Sequence, residues 1–598
     1  MEHSEGYNLD EITKDIRVGV YVCHCGGNIS DVVDVKAMAD LTAEYPHVTV
    51  AKEYPFLCSD PGQALILEDI RANRINRVVV ASCSPTLHES TFRRALQCGG
   101  LNPYLYEHVN IREQVSWVHK DNPVAATRKS LALIRAGVEK VIRQNPLKAL
   151  RVRAERRVAV IGGGPAGMSA ALALTRVGMP VELFEKEPVL GGRLLEIGSV
   201  FPTEEKAADL AQKLATDVLA QSSIQVHLNC EIKRVDGYVG NFDVHIVKDG
   251  QDVKVRVGAL ILATGFSHYR PFQGEYGFGT SPRVVTLPEF QRALNRLPED
   301  KMLHWEGRAV KRLAFIHCVG SRQMEGVNAP QADGQVNDYC SRVCCTATLH
   351  VANQVLDRFP KTQIFDFYRD IRTYGRGHEI YYEQAARKGT LFFRYTNEAI
   401  PKYHMESDQA FVRVKDVLTW NEEVEVPVDL LVLSTGMMPQ DIRGLVESLK
   451  LPIGADRFLQ EAHPKLRPVE VANNGIFLAG TCQAPMTLDE SCAAAGAAAV
   501  KASQLLVSSE INLDPFVVEL QEDRCNGCGR CLEECSYTGS LTMISRSRSA
   551  SGEKIVAVNP ALCKGCGACA AVCETHALNV AGWRLDQFEA MVNTIAVS

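Results

Sequence analysis

The sequence has no apolar run long enough to cross a bilayer. Its longest apolar and small-residue stretches, such as SCAAAGAAAV, reach about half of the ~20 residues that a transmembrane helix needs. The first fifteen residues, MEHSEGYNLDEITKD, are acidic and lack the apolar segment of a secretory signal. We therefore expect neither a membrane span nor secretion, and the cytoplasm is the predicted location.

The sequence also lacks a long basic run, and its formal net charge is -6. Nucleic-acid binding is therefore not expected. What the chain does have is cysteine, with 20 residues of this type among 598. In a chain without a predicted secretory signal, that number indicates metal ligation in a reducing compartment rather than a disulfide framework.

Eight cysteines near the C-terminus form two runs with the spacing C-x2-C-x2-C-x3-C. Such a run presents three thiolates to one iron-sulfur cubane and sends the fourth to the neighbouring cluster. We predict one cluster on Cys525, Cys528, Cys531 and Cys573, and a second on Cys563, Cys566, Cys569 and Cys535. A pair of zinc knuckles is the alternative, but zinc sites usually use two separated cysteine pairs without a crossing fourth ligand.

A dinucleotide-binding unit begins at Arg157, where the sequence reads as a strand, a glycine turn, a helix and a second strand. Gly162, Gly164 and Gly167 form the pattern G-x-G-x-x-G, which permits a tight turn, close approach of a pyrophosphate and close helix-strand packing. Glu185 ends the second strand at the distance expected of a ribose-binding carboxylate. The unit therefore predicts a bound dinucleotide, with an empty Rossmann shell as the alternative.

Three further motifs favour FAD over NAD: GGR at 191–193, ATG at 263–265 and GIFLAGTCQAP at 475–485. They occur together in two-dinucleotide-domain flavoprotein disulfide reductases, which this region resembles, and the resemblance implies an α/β, thioredoxin-reductase-like fold. In that family the last motif usually carries an aspartate beside the flavin, whereas this chain has Thr481. The predicted FAD-binding residues are Gly162, Gly164, Pro165, Ala166, Gly167, Glu185, Lys186, Gly192, Arg193, Ala263, Thr264, Gly265, Gly480 and Thr481.

A second Rossmann unit, where such flavoproteins bind NAD(P)H, begins at the strand RLAFIHCVGSR, and the pattern predicts its helix over about 343–358. The glycine fingerprint is absent. Cys318 stands where its first glycine should be, and Cys340, Cys344 and Cys345 lie before and within the start of the helix. Four thiolates there can hold a cluster at the positive helix end, whereas a pyrophosphate cannot approach. We infer that a cluster replaces nicotinamide as the flavin's exchange partner.

Three other interpretations of this cysteine group stay open: a vicinal Cys344–Cys345 disulfide, a zinc site and inert buried thiols. The second strand of the unit, in TQIFDFYRD, carries Asp366 and Arg369, which we interpret as a solvated strand end. The chain then returns to the FAD-binding domain after STG at 434–436.

Residues 17 to about 145 alternate apolar strands with amphipathic helices, which predicts a small parallel α/β domain. Cys23 and Cys25 follow its first strand, Cys58 its second and Cys83 its third. Because the carboxyl ends of parallel strands share one edge, we expect these thiols to converge. A cluster is predicted there, and scattered structural thiols are the alternative.

The four remaining cysteines are expected to be structural. Cys98 precedes Gly99 at a predicted helix end, which indicates a packing role at the C-cap. Cys230 lies in a strand-like stretch, and Cys482 and Cys492 flank the entry to the last helix of the FAD-binding domain. A position beside the flavin is the alternative for either of these two.

Taken together, the motifs resemble the HdrA family, the iron-sulfur flavoprotein of heterodisulfide reductase, over nearly the whole chain and in order. The motifs are CHCGGN, CSDPGQ, ASCSPTLHE, NPYLYEHVNIRE, IGGGPAGM, HCVGSR, YCSRVCC, HPKLRPVE and the paired ferredoxin runs. The resemblance implies clusters at both less certain cysteine groups, Cys318, Cys340, Cys344, Cys345 and Cys23, Cys25, Cys58, Cys83. It thus implies FAD and about four [4Fe-4S] clusters.

The resemblance further implies an oxidoreductase whose chemistry is centred on the flavin, with no catalytic side chain. In that family FAD receives electron pairs through partner subunits, often from a hydrogenase or formate dehydrogenase. It splits them between a high-potential route, which ends at the disulfide-reducing partner, and a low-potential route to ferredoxin, in a complex that contains a homodimer. Methanogen members carry an inserted ferredoxin domain near residues 230–260, which this chain lacks. The low-potential exit is therefore an open question.

The predicted domain organisation has five segments. They are an N-terminal α/β iron-sulfur domain (1–150), the first part of the FAD-binding domain (151–310), a second Rossmann-like domain with a cluster (311–440), the C-terminal part of the FAD-binding domain (441–510) and a bacterial-type 2[4Fe-4S] ferredoxin domain (511–598). Two alternative functions are an NAD(P)H-dependent oxidoreductase of the glutamate-synthase-small-subunit type and a non-catalytic electron-transfer scaffold.

Overall fold

The computed structural model describes residues 15–72, 74–248, 250–297, 302–546 and 554–597. The chain divides into two units, and the first combines Met1–Val152 with Asn512–Ser598. The second unit is Arg153–Ile511. The N-terminal and ferredoxin segments, which the sequence presents as separate domains, thus belong to one unit. No helix in the described ranges has the length and apolar character needed to span a membrane.

The first unit begins with a four-stranded parallel sheet in the order β2-β1-β3-β4. Its elements are β1 (Val18–Cys23), α1 (Val35–Ala43), β2 (Val48–Tyr54), α2 (Asp60–Arg71), β3 (Arg77–Ser82), α3 (Pro85–Cys98), β4 (Tyr106–Asn110) and α4 (Pro123–Val141). Both central strands are buried along their whole length, because helices cover the two faces of the sheet. We did not predict the fourth strand, YEHVN, because its polar residues do not show the apolar pattern of a buried strand.

The second unit opens with the glycine-turn segment. Its elements are β5 (Val158–Ile161), α5 (Pro165–Arg176), β6 (Val181–Phe184), α6 (Ala207–Leu219), β7 (Ile224–His227), β8 (Glu231–Tyr238), β9 (Asn241–Lys248), β10 (Gln251–Val257) and β11 (Ala259–Leu262). The strands β8, β9 and β10 form an antiparallel sheet of their own. This small sheet lies near residues 230–260, where methanogen members of the HdrA family carry an inserted ferredoxin domain that we expected this chain to lack.

The chain then builds a second parallel sheet with a second small antiparallel sheet. Its elements are β12 (Val284–Thr286), α7 (Leu287–Leu294), β13 (Arg312–Val319), α8 (Cys344–Arg358), β14 (Gln363–Tyr368), α9 (His378–Arg387), β15 (Leu391–Arg394), β16 (Lys402–Glu406), β17 (Gln409–Asp416), β18 (Glu422–Val428) and β19 (Leu430–Thr435). The parallel strand order is β12-β19-β13-β14-β15, and β16, β17 and β18 pair antiparallel. The predicted helix over 343–358 corresponds to α8.

The return segment adds α10 (Arg443–Leu449), β20 (Ile476–Leu478) and α11 (Leu488–Leu506). Strand β20 pairs with β11 and completes a five-stranded parallel sheet in the order β7-β6-β5-β11-β20. Thr487 caps α11, since its hydroxyl accepts from the Glu490 amide and the Glu490 carboxylate accepts from the Thr487 amide. The glycine turn and the segment 475–485 therefore end beside the same sheet.

The ferredoxin segment has two similar halves. Its elements are β21 (Val518–Leu520), α12 (Arg530–Glu533), β22 (Leu541–Ser545), β23 (Lys554–Val558), α13 (Ala568–Ala571), β24 (Leu578–Val580) and α14 (Leu585–Val597). Strands β21 and β24 pair antiparallel, as do β22 and β23. Gly529 and Gly567 precede the two short helices with φ of +80° and +79°, a conformation that glycine adopts without strain.

Within the first unit, the ferredoxin segment packs against the α/β domain. The Lys140 ammonium, which also pairs with Glu107, lies 2.9 Å from the centre of the Trp583 ring. The Arg93 guanidinium lies over Phe516, 4.8 Å from its ring centre. These contacts join segments more than 400 residues apart in sequence, as does the hydrogen bond from the Arg584 side chain to the Arg143 carbonyl.

Candidate functional site

The glycine turn after β5 is fixed by backbone contacts. Gly162 has φ of +113°, and its amide donates to the Phe184 carbonyl at 2.8 Å. A Cβ added at Gly162 would lie 2.2 Å from the Ala263 carbonyl oxygen, and one added at Gly167 would lie 1.8 Å from the Gly162 oxygen. The first and third glycines of the fingerprint are thus sterically required.

The turn leaves the start of α5 free of side chains, and we call this place, between Gly162, Gly164 and Gly192, the glycine cradle. Gly164 is the N-cap of α5, and a Cβ on Gly192 would lie 2.9 Å from the Gly164 Cα. The Thr264 hydroxyl, in the ATG motif, is buried and has no hydrogen-bond partner. The Glu185 carboxylate lies at the end of β6 and accepts from the Gly163 amide at 2.6 Å. Free helix amides, an unpartnered hydroxyl and a carboxylate at the ribose position fit a dinucleotide.

The other predicted flavin motifs lie around the same turn. Gly480, with φ of +73°, approaches α5 so closely that an added Cβ would lie 2.8 Å from the Ala166 Cβ. Arg193 donates from Nε to the Phe266 carbonyl at 3.3 Å, just after the ATG motif. Of the remaining predicted residues, Pro165 opens α5, Gly265 has φ of +75°, Lys186 is exposed and Thr481 lies in the turn 480–482.

The corresponding turn of the second Rossmann unit is lined by thiols. Cys318 is buried near the end of β13 and has φ of +60°, the left-handed conformation that a glycine fingerprint would use. Cys344 and Cys345 are buried in the first turn of α8. Cys340 is half-buried, and its Sγ accepts from the Arg342 amide at 3.3 Å. We call these four cysteines the second-unit thiols.

The second-unit thiols influence one another electrostatically. A hydrogen bond from the Cys344 thiol to Cys345, followed by burial, raises the pKa of Cys344 well above its usual value. The same hydrogen bond, with that of His317, holds the pKa of Cys345 well below its usual value. All four are free thiols in the structure, so the vicinal disulfide is not formed there. The arrangement favours a thiolate at the helix start, as metal ligation requires.

Asp366 and Arg369 do not form the solvated strand end that we expected, and that interpretation is wrong. Asp366 is 0% exposed and Arg369 is 3% exposed. Asp366 lies within 3.0 Å of the His317 ring, and although burial acts against it, this carboxylate holds the pKa of His317 well above its usual value. The physical reason is that β14 runs between β13 and β15, so its polar residues lie inside the domain.

The N-terminal cysteines meet at one edge of their sheet. Cys23 and Cys83 are buried, and Cys25 and Cys58 are half-buried. Burial raises the pKa of Cys83 to about 11, and the charges of Cys25 and Cys23 contribute to it. Arg112, which follows β4, donates from Nη1 to the Cys25 Sγ at 3.1 Å. Sequence reasoning missed Arg112 as a site residue, although it lies in the NPYLYEHVNIRE motif.

The ferredoxin cysteines line two cavities in the crossed grouping that their spacing predicts. The first cavity is lined by Cys525, Cys528, Cys531 and Cys573. The second is lined by Cys535, Cys563, Cys566 and Cys569. Backbone amides donate to the sulfurs, with Ala577 to Cys573 at 3.3 Å and Gly565 to Cys563 at 3.4 Å. Hydrogen bonds to the sulfurs are one of the features by which proteins tune iron-sulfur sites.

In the described ranges, no group of three or more His, Cys, Asp or Glu side chains is arranged to hold a single metal ion.

The other four cysteines lie apart from these groups. Cys98 ends α3 and is exposed, so the packing role expected for it is wrong. Cys230 is buried, and its amide donates to the Glu185 carbonyl at 2.9 Å. Burial raises the pKa of Cys482 to about 11, and its thiol donates to the Leu262 carbonyl. Cys492 lies on α11 and accepts from the Ser169 hydroxyl at 3.5 Å.

Comparisons with known proteins agree with this geometry. Residues 156–301 match the family described as pyridine nucleotide-disulphide oxidoreductase, and residues 524–577 match the 4Fe-4S dicluster domain. The chain is 36% identical to the second iron-sulfur A subunit of the CoB–CoM heterodisulfide reductase of Methanopyrus kandleri, over 89% of this chain and 92% of that protein. It is 35% identical to the A subunit of the H(2):CoB-CoM heterodisulfide,ferredoxin reductase of Methanothermobacter marburgensis, over 88% of this chain and 91% of that protein.

A solved structure with a related outline is the thioredoxin reductase of T. acidophilum. It shares 17% sequence identity and covers 58% of this chain and 99% of its own, with a TM-score of 0.41. A likeness of this size carries no argument about function.

Proposed function

The chain belongs to the HdrA family of heterodisulfide reductase iron-sulfur flavoproteins, and from that premise we propose that it is an electron hub in which FAD exchanges electrons with iron-sulfur clusters instead of a pyridine nucleotide. The comparisons themselves show that the chain is an oxidoreductase component of the flavin and iron-sulfur type. When bound, FAD exchanges electrons in pairs or singly, and [4Fe-4S] clusters exchange them singly.

The observation that carries the proposal is the second Rossmann turn. A pyridine nucleotide needs bare backbone amides at the helix start, so that its pyrophosphate can approach. Here Cys318 has a left-handed backbone two residues before the left-handed Gly320, and the first helical turn carries Cys344 and Cys345. The thiols offer sulfur ligands at the place where a pyrophosphate would contact bare amides.

We propose that four cysteine groups hold about four clusters. The ligands would be Cys525, Cys528, Cys531, Cys573; Cys535, Cys563, Cys566, Cys569; Cys318, Cys340, Cys344, Cys345; and Cys23, Cys25, Cys58, Cys83. The protein's part in the reaction is to hold the flavin at the glycine cradle, to hold the clusters, and to exclude water from the buried thiols. No side chain is needed as an acid, base or nucleophile, because the cofactors carry the electrons.

The proposed partners are other heterodisulfide-reductase-like subunits and an electron donor such as a hydrogenase or formate dehydrogenase module. We propose a homodimer within that complex, in the cytoplasm, with flavin-based electron bifurcation. The names of the relatives support partner subunits of the heterodisulfide-reductase type, since one relative is named as a subunit of a heterodisulfide,ferredoxin reductase. The described residues between 231 and 257 form a small antiparallel sheet, and we propose that electrons bound for ferredoxin leave through another subunit or through the C-terminal ferredoxin segment.

The test is the ratio of iron to FAD after anaerobic purification from the native host. Full loading of four clusters predicts about sixteen iron per FAD. A preparation with one FAD but only about eight iron would mean that the two less certain groups hold no cluster. A preparation without flavin would support the electron-transfer scaffold instead.

A further inference from the structure

Arg369 is a buried cation that has no carboxylate at ion-pair distance among the described residues. This residue directly follows β14 in the sequence and is 3% exposed. Its Nη1 donates to the Arg322 carbonyl and to the Asn397 side-chain oxygen, whereas its Nε and Nη2 are buried without a hydrogen-bond partner. The exposed Glu398 lies within electrostatic reach only. The Arg369 guanidinium also lies over the Tyr395 ring, 5.6 Å from the ring centre, which compensates part of the burial. Because a guanidinium stays charged at any pH that the protein meets, a nearby anion would stabilise it further.

Arg322 adds a second cation to the same place. Its Nη2 donates to Asp370 at 2.8 Å, and its Nη1 is buried without a partner. Asp370 also accepts from Arg394 at 2.9 Å, so one carboxylate faces two guanidiniums. The other nearby carboxylate, Asp366, is already engaged with His317. Positive charge therefore exceeds negative charge among these residues.

The second-unit thiols lie next to these cations. The Cys345 thiol donates at 3.7 Å to the carbonyl of Asp370, the residue after Arg369, and Arg369 donates to the carbonyl of Arg322, which follows the β13 strand that carries Cys318. Burial raises the pKa of Cys318, and the charges of Arg369 and Arg322 oppose that rise. A [4Fe-4S] cluster with four thiolates is anionic and becomes more so on reduction, so a buried cation stabilises the reduced form more than the oxidised form.

The two ferredoxin cavities have no comparable buried arginine among their lining residues. Besides cysteines, the first is lined by apolar and neutral polar residues and by Arg530, which is 57% exposed and paired with Glu574. The second is lined by apolar and neutral polar residues and by Lys564, which is exposed. An exposed, paired charge is screened by water, whereas the field of a buried and unpaired one is screened much less.

We propose that Arg369, supported by Arg322, raises the reduction potential of the second-unit cluster above the potentials of the two ferredoxin clusters. The inference rests on the proposed function, since it requires a cluster at the second-unit thiols. The step concerned is uptake of one electron by that cluster from reduced FAD, and no proton is bound or released by Arg369. The second Rossmann unit is then the favoured destination for an electron that leaves the flavin.

The test is a potentiometric titration of the anaerobic full-length protein, followed by EPR spectroscopy. The signal that disappears in Cys340→Ser identifies the second-unit cluster. In the unaltered protein this signal should appear at a higher potential than those of the ferredoxin clusters. Arg369→Gln should lower the equilibrium constant for its reduction about tenfold, which is a shift of about 59 mV for one electron. The ferredoxin signals should not move.

Two further variants separate charge from structure. Arg369→Lys keeps the charge and should retain most of the potential, whereas Arg394→Gln, at a residue whose side chain is 44% exposed, should shift it by less than about threefold in the equilibrium constant. If Arg369→Gln does not retain the cluster, Arg322→Gln should show the same fall.

An unchanged potential in the glutamine variant that holds the cluster would overturn the proposal, and so would a second-unit cluster that is reduced after the ferredoxin clusters. If neither glutamine variant holds a cluster, the arginines are structural and the proposal is wrong. Absence of the second-unit signal from the unaltered protein would instead contradict the proposed function.

Discussion

The two Rossmann turns of the Arg153–Ile511 unit lie at corresponding places and carry different side chains. Each lies at the carboxyl end of a buried parallel strand. At the first turn Gly162 has φ of +113°, and α5 begins directly afterwards at Pro165. At the second turn Cys318 has φ of +60°, and α8 begins only at Cys344, with Cys345 beside it. The same fold thus presents a turn without side chains in one place and a turn lined by thiols in the other, so the fold alone does not fix the ligand.

The largest expected effect comes from removing a thiol from the second turn. Cys344→Ser should leave FAD in place and lower the iron content by about four per chain, because one [4Fe-4S] cluster is lost. Iron analysis and flavin absorbance of the same sample measure both. Cys98→Ser, at an exposed cysteine outside all four groups, is the control and should keep the full iron content. Full iron content in Cys344→Ser would mean that this thiol is not a ligand.

The reciprocal change at the first turn should remove the flavin and spare the clusters. Gly167→Ala would place a Cβ 1.8 Å from the Gly162 carbonyl oxygen, so the turn must open. We expect bound FAD to fall about tenfold or more, since the helix can no longer pack beside the strand. Gly496→Ala, in α11 with no neighbouring atom within 4 Å of the new Cβ, is the control and should bind FAD normally. Normal flavin content in Gly167→Ala would contradict the cradle geometry.

The buried ion pair beneath the second turn should matter for folding. Asp366→Asn leaves the fully buried His317 without its carboxylate, which should cost about 3 kcal/mol in the free energy of unfolding. Denaturant unfolding of the protein measures the change. Arg443→Gln breaks an ion pair whose two side chains are exposed and should leave the denaturation midpoint unchanged. Equal stability of both variants would contradict the claim that the Asp366–His317 pair stabilises the fold.

A smaller effect is expected in the pH dependence of stability, and it arises from His268. Burial, with Arg193 adding to it, lowers the pKa of His268 to about 4. The unfolded chain, with a histidine pKa of about 6.5, binds this proton more readily, so stability is full above about pH 6.5 and declines as the pH falls toward 4. His268→Gln should reduce that decline in the melting temperature. An identical pH profile in the variant would contradict burial of a neutral imidazole there.

Much of this arrangement could be predicted from local sequence. The glycine spacing at Gly162, Gly164 and Gly167 and the two C-x2-C-x2-C-x3-C runs specify turns within a few residues, so spacing alone predicts their chemistry. The comparisons confirm the family, the flavoprotein fold class with a C-terminal ferredoxin domain, and the oxidoreductase activity that we predicted. The number of clusters and their ligands stay predictions.

The features that sequence did not reveal depend on contacts between distant segments. Arg112 reaches Cys25 only because β4 lies beside β3 in the sheet. Asp366 and Arg369 read as polar strand-end residues, and only the strands on either side of β14 bury them. The packing of the ferredoxin segment on the α/β domain, through aromatic rings and buried cations, likewise joins opposite ends of the chain.

The most direct test of the central claim is to mix the anaerobic, cluster-loaded protein with NADH or NADPH and to follow the flavin absorbance. Because the second turn is lined by thiols, the flavin should stay oxidised with either nucleotide and should be bleached by dithionite. Rapid bleaching by NADH or NADPH alone would contradict the claim that sulfur ligands have replaced the pyridine nucleotide.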